Sequence, residues 1–223
     1  MRYFVTGTDT DCGKTFVSSA LLHAAQARGS TVGLKPIASG CEMTPEGLRN
    51  ADALSLIAQS SVKLEYSQVN PFSFEPAIAP HIAAKQVGIG LSVDVICQHL
   101  EALPLSCADL MLVEGAGGWR LPLGQGEFLS QAVKQLSMPV ILVVGVKLGC
   151  LNHAVLTQES ILADGLTLAG WVANVTDPNM AHLQENLTTL TELMTSPCLG
   201  VVPYLPSRNV ATAADYCDID ALS

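Results

Sequence analysis

Apolar residues are distributed along this chain in two alternating modes: short unbroken runs, and longer stretches in which they recur every three to four positions. The runs occupy residues 2–5, 31–35, 108–113, 140–146, 168–174 and 199–202. Hydrophobicity that is continuous rather than alternating predicts strands buried on both faces. Between them, residues 14–27, 51–59, 93–103, 128–136, 153–163 and 181–194 carry helical patterns. Strand and helix therefore alternate, and right-handed crossovers predict a doubly wound, mainly parallel sheet flanked by helices, an α/β architecture in a single domain over residues 1–223. Residues 40–92 are more polar and carry Pro45, Pro71, Pro76 and Pro80, so they are expected to form an excursion beside the functional site.

In open α/β sheets ligands bind at the carboxyl ends of the strands, so the residues immediately after each run are the candidates for function. The first run leads into Gly7-Thr8-Asp9-Thr10-Asp11-Cys12-Gly13-Lys14-Thr15 and then a helical stretch. Strand, glycine turn and helix start form a phosphate-binding loop, with Lys14 reaching the terminal phosphates of a nucleoside triphosphate and the Thr15 hydroxyl available to Mg²⁺. Five residues separate Gly7 from Gly13 instead of the usual four, so Thr8 occupies the first-glycine slot. The second run ends in Lys35-Pro36-Ile37-Ala38-Ser39-Gly40, the third in Glu114-Gly115-Ala116-Gly117-Gly118-Trp119, and the fourth in the segment from Lys147 to His153.

Composition narrows the function classes. With 49% hydrophobic and 14% charged residues in 223, the chain can bury a large core. A net charge of −9, from 20 acidic and 11 basic residues, argues against a nucleic-acid or anionic-membrane surface. It also makes Lys14, Lys35 and Lys147, each at a strand end, more informative than surface decoration. The apolar stretch 138–146 is too short to cross a bilayer and contains Pro139 and Gly145. An apolar run that begins at residue 3 leaves no room for a secretory signal, so a cytoplasmic location is expected. Seven scattered cysteines without a C-x-x-C pair suggest free thiols, and Cys150 with His153 lacks the second pair that a zinc site needs.

Glu114 closes an apolar run and precedes three glycines that let a ligand approach the backbone. That is where phosphate-loop enzymes place the acidic residue that holds Mg²⁺. Asp52, near the start of a helical pattern, reads from composition alone as a capping or dipole residue. Lys35 would stand where a γ-phosphate meets an anionic substrate. Asn174 suits either the edge of a base or the closing of a turn. No serine or cysteine sits in a nucleophile-elbow pattern, and phosphoryl transfer is the chemistry indicated.

The segments GTDTDCGKT, KPIASG, EGLRNADAL, VNPFSF, PHIAA, LVEGAGGW, MPVILVVGVKLGCLNHA and LTLAGWVAN together resemble the dethiobiotin synthetase family, over residues 3 to about 204. The same loop spacing is a mark of that family. The resemblance implies ATP- and Mg²⁺-dependent carboxylation and ring closure of 7,8-diaminopelargonate with CO₂. It implies that Lys35 and Lys14 are catalytic, and that Thr15, Asp52 and Glu114 hold the metal, which promotes Asp52 above a cap. Backbone groups from Asp11, Cys12, Gly13, Lys14, Thr15 and Phe16 would wrap the phosphates, assisted by Gly115, Ala116 and Gly117. Asn174 and Val175, with Pro203, Tyr204 and Leu205, would form the adenine side. Thr10 and Ser39 would contact the substrate, and a homodimer would bring Gly149, Cys150, Leu151 and Asn152 of one subunit to the substrate carboxylate in the other.

Two rival readings share the fold. A switch ATPase of the cell-division or partition type would carry a lysine early in the loop, where this chain has Asp9, and often needs a basic or amphipathic membrane or DNA contact that the acidic tail around Asp215, Asp218 and Asp220 does not provide. A paralogous synthetase acting on another substrate is the second.

Overall fold

The computed structural model describes residues 1–103 and 108–222. Cys107 lies outside the described residues, and the other six cysteines are unpaired thiols.

Six strands form one parallel sheet. Its spatial order is Cys198–Val202, Leu168–Val175, Val140–Val146, Arg2–Gly7, Leu110–Glu114 and Thr31–Leu34. The first strand of the chain is central, paired with Val140–Val146 on one side and Leu110–Glu114 on the other. After the third strand the chain crosses to the opposite flank. The strand order therefore reverses beside Arg2–Gly7, and a crevice opens at its carboxyl end.

The unbroken apolar runs divide between the two faces as expected for a sheet covered on both sides. Phe4, Met111, Val113, Leu142, Val144, Trp171 and Ala173 pack into one core. Tyr3, Val5, Leu110, Leu112, Ile141, Val143 and Val172 pack into the other, against Val17, Leu21 and Leu22 of the helix Lys14–Ala25. Successive residues point to opposite faces of a strand, so a run buried on both sides has no polar positions to reveal its period.

Local chemistry explains the helix starts. Asn50 caps Ala51–Ala58 by accepting from the Ala53 amide at 3.2 Å, and Ser92 caps Val93–Ala102 through the Val95 amide at 3.2 Å. The helix Lys14–Ala25 has no side-chain cap. Its N-cap is Gly13 at φ 88°, so its first-turn N–H groups stay free for an anion. The helix predicted from residue 153 begins at Cys150, also without a side-chain cap, because Gly149 at φ 93° sets the turn into it. Residues 40–92 fold as the expected excursion: a hairpin of Glu42–Thr44 with Gly47–Arg49, a parallel pair of Ile37–Ser39 with Phe72–Phe74, and the helix Pro80–Gln86. The helix Val210–Ala214 is a further element with too few residues to show a period in the sequence.

Candidate nucleotide and substrate site

The loop after the first strand is held to its neighbour. Thr8 donates its backbone N–H to Val143 O at 3.0 Å, and its Oγ1 accepts from the Gly145 amide at 3.3 Å. Cys12 is buried, and a side chain at Gly145 would place its first carbon 2.8 Å from Cys12 Cβ, so glycine there lets the loop close on the strand. Asp11 adopts φ 60°, a left-handed conformation that aspartate tolerates better than most residues. The loop thus presents backbone toward a cleft of about 800 Å³.

Two lysines line this cleft. Lys14 is buried, with Nζ 3.1 Å from Asp9 O. Lys35 leaves the end of the edge strand, and its Nζ lies 2.6 Å from Glu114 Oε1, 3.1 Å from Asp52 Oδ2 and 3.0 Å from Gly115 O. Thr15 Oγ1 donates to the same Glu114 Oε1 at 2.7 Å. Glu114 Oε2 is buried and has no partner. Burial alone would lower the Lys35 pKa, but attraction first by Glu114 and then by Asp52 outweighs it and holds the ammonium above its ordinary value. Burial tends to raise the Asp52 carboxyl, and the Lys35 charge overrides this, leaving it below the usual carboxylate value.

These groups are positioned by Asn50, Tyr66 and Asn70, of which Asn50 and Asn70 fall within the segments EGLRNADAL and VNPFSF without a role of their own there. Asn70 Nδ2 donates to Lys35 O at 2.6 Å, Tyr66 Oη donates to Asn70 Oδ1 at 2.8 Å, and the Asn50 amide donates to Tyr66 Oη at 2.7 Å. This chain of bonds ties the helix that carries Asp52 to the strand end that carries Lys35. Beyond those segments, the sequence hint is Asn50, an Asn immediately before a helical pattern. Behind the glycines after Glu114, Trp119 Nε1 and the Arg120 guanidinium both donate to Asp164, at 2.9 and 2.6 Å, anchoring that loop to the end of another helix.

A family model described as an AAA domain matches residues 1–212. The ATP-dependent dethiobiotin synthetase BioD of Pseudomonas aeruginosa (strain UCBPP-PA14) is 54% identical over 221 residues, 99% of this chain and 97% of the relative. That of Cellvibrio japonicus is 52% identical over 99% of this chain and 96% of its own length. The chain belongs to the ATP-dependent dethiobiotin synthetase family. Among solved structures, a ParA family ATPase from Chlorobium tepidum superposes with a TM-score of 0.57 over 96% of this chain and 90% of that one, at 11% identity. The partition-type ATPase therefore shares the fold alone, and the synthetase reading is the one favoured.

Within this dethiobiotin synthetase fold, Thr10, Asp11, Gly13, Lys14, Thr15, Phe16, Lys35, Ser39, Asp52, Ala116 and Gly117 line the cleft together. Glu114 and Gly115 lie directly behind Lys35, and Cys12 turns its thiol into the core. Asn174, Val175, Pro203, Tyr204 and Leu205 converge on an adjoining groove, joined by Thr176 and Arg208, neither of which stands out in the sequence. Asn174 Nδ2 donates to Cys12 O at 2.9 Å, so this amide also supports the phosphate loop. Gly149, Cys150, Leu151 and Asn152 are not brought to the cleft of their own chain: Cys150 is buried in the core and Asn152 is exposed. Among the described residues no helix is long and apolar enough to cross a membrane.

Proposed function

We propose that this cleft converts 7,8-diaminopelargonate, CO₂ and ATP to dethiobiotin, ADP and phosphate. The observation that carries the reading is that two buried lysines, Lys35 at a strand end and Lys14 at the first position of an uncapped helix, line one cleft. Such a site can hold two anions, a carbamate and a γ-phosphate, that would otherwise repel. One substrate amine adds to CO₂ and loses a proton, giving the carbamate. A carbamate oxygen then forms a bond to the γ-phosphorus as the bond to ADP breaks. The second amine attacks the carbonyl carbon, phosphate departs, a proton is released and the ureido ring closes. Lys35 and Lys14 neutralise and position the reacting anions, and the first-turn amides after Gly13 receive phosphate oxygens.

Mg²⁺ fits the residues present. Thr15, Asp52 and Glu114 offer hard oxygen donors, and Glu114 Oε2 is a buried acceptor without a partner. When bound, the ion would neutralise phosphate charge. Ser39, whose buried Oγ has no partner and which lines the cleft, is placed to meet the substrate. The groove of Asn174, Val175, Pro203, Tyr204 and Leu205 receives the adenine.

Homodimerisation is part of the same reading. Leu148 is 94% exposed directly before Gly149, and Leu156 on the helix that begins at Cys150 is 55% exposed, an apolar edge suited to a second copy that would carry Gly149–Asn152 to its site. A solution mass equal to one chain at micromolar concentration would refute this.

The test of the reaction is ADP release with ATP and Mg²⁺, together with mass detection of dethiobiotin. Release should require both diaminopelargonate and bicarbonate. Turnover indifferent to either would overturn the assignment, and turnover with a different diamine would favour a paralogous substrate.

A further inference from the structure

Three residues belong both to the phosphate cleft and to the base groove: Gly13, Phe16 and Arg208. Gly13 offers only backbone and Phe16 only a ring, so Arg208 is the one charge at the junction. Arg208 is exposed, and its guanidinium makes no ion pair and no hydrogen bond among the described residues, whereas Arg28, Arg49 and Arg120 pair with carboxylates and Arg2 donates to Leu136 O. In a chain with 11 basic residues against 20 acidic ones, a cation left unpaired at a ligand site is notable. The backbone also makes a concession to place it there. Arg208 sits at φ 45°, an uncommon conformation for a non-glycine residue, closed by its own amide on Leu205 O at 2.9 Å. The next residue, Asn209, caps the helix Val210–Ala214 through the Thr212 amide at 3.0 Å, which fixes the exit of the turn.

We propose that Arg208 binds the α-phosphate of the nucleotide. This rests on the reading of the two cavities as the terminal-phosphate and adenine ends of one ATP site. A nucleotide that spans them must pass the junction with its ribose and α-phosphate. Of these, only the phosphate is an anion, and a guanidinium suits a phosphate's geometry. Lys14, the loop's own cation, reaches the terminal phosphates, so Arg208 supplies a side-chain charge to the phosphate that the loop holds through backbone N–H groups alone.

The experiment measures displacement of a fluorescent ADP analogue by ATP, AMP and adenosine, without diamine or bicarbonate, in wild type, Arg208→Gln and Arg208→Lys. For the wild type, AMP should bind more tightly than adenosine. Arg208→Gln should weaken ATP and AMP by about tenfold each, as loss of one charged hydrogen-bonding contact does, and leave adenosine unchanged. Arg208→Lys should recover part of the loss. Equal weakening of adenosine, loss for ATP but not AMP, no loss at all, or AMP no better than adenosine in the wild type would each overturn the proposal. These measurements read nucleotide binding alone. A protein that binds as described but makes no dethiobiotin would overturn the reaction proposed above and leave Arg208 standing.

Discussion

At the phosphate end of the cleft, Lys35, Glu114, Asp52 and Thr15 are already joined through contacts of 2.6 to 3.1 Å, and Lys35 and Glu114 are almost wholly buried. At the end proposed for the base, the Arg208 guanidinium has no partner among the described residues, Tyr204 is 46% exposed, and the walls come from the ends of two strands and a turn near the chain terminus. One end is a bonded, charged cluster. The other is a small groove in which Asn174 is bonded to the phosphate loop and Arg208 is exposed. A preassembled charge cluster acts where charge moves during reaction, because its dipoles need no reorganisation. On the reading proposed above, a groove with fewer internal bonds suffices for adenine, whose charge does not change.

Removal of Lys35 is the most severe way to break this comparison. Lys35→Gln should lower turnover by at least about a thousandfold, because it deletes preorganised charge at the reacting groups. Nucleotide binding, which rests on the loop and the groove, should survive within about tenfold. Loss of ATP affinity with turnover preserved would reverse the roles assigned to the two ends. The same change leaves Glu114 buried with only the Thr15 hydroxyl, which should cost about 3 kcal/mol of stability in urea unfolding.

The ion cluster also predicts a pH signature. The Asp52 pKa is depressed, so its stabilisation is present above the ordinary value of 3.8 and is lost as pH falls through the lower folded value. The Lys35 pKa is raised, so its stabilisation is complete below 10.5 and is lost as pH rises through the higher folded value. The difference in Tm between wild type and Asp52→Asn, which leaves the Lys35–Glu114 pair in place, should be flat from about pH 5 to 9 and narrow on either side. A gap that changes near pH 7 would show that another group controls the cluster.

The two ends also differ in how much of them could be read from sequence. Lys35 and Glu114 each stand at the end of an unbroken apolar run, and Lys14 and Thr15 follow another across the glycine loop, so the strand pattern pointed to the end of the sheet where these side chains gather. The two-faced sheet was legible for the same reason. Asp52 was not, on composition alone: the cap of its helix is Asn50, and its proximity to Lys35 depends on the packing of a separate element. Arg208 was invisible as well, because a left-handed turn and a five-residue helix leave no periodic trace. The bond network of Asn50, Tyr66 and Asn70 joins residues 16 and four positions apart in a proline-containing excursion, where no local rule sets the geometry.

Asn174 sits where the two ends meet. Asn174→Ala removes the bond to Cys12 O and should destabilise the protein by about 1–3 kcal/mol, since it leaves a buried carbonyl without a partner. The KM for ATP should rise about tenfold as the loop loosens. Lost stability with an unchanged KM would make Asn174 a brace for the loop with no part in binding.

Ser39 gives the smallest expected effect and the sharpest distinction. It lies at the assembled end, yet its buried Oγ, like Glu114 Oε2, has no hydrogen-bond partner among the described residues, so in polar satisfaction it resembles Arg208 at the other end. If that hydroxyl is kept for the substrate, Ser39→Ala should leave Tm unchanged or slightly higher, because an unsatisfied polar group is removed without opening a cavity. The KM for diaminopelargonate should rise about fivefold, the equivalent of one neutral hydrogen bond of about 1 kcal/mol, while the KM for ATP stays the same. A lower Tm would show that the hydroxyl serves the fold. An unchanged diamine KM would remove Ser39 from the substrate's contacts and leave Lys35 as the group at that strand end which acts in the reaction.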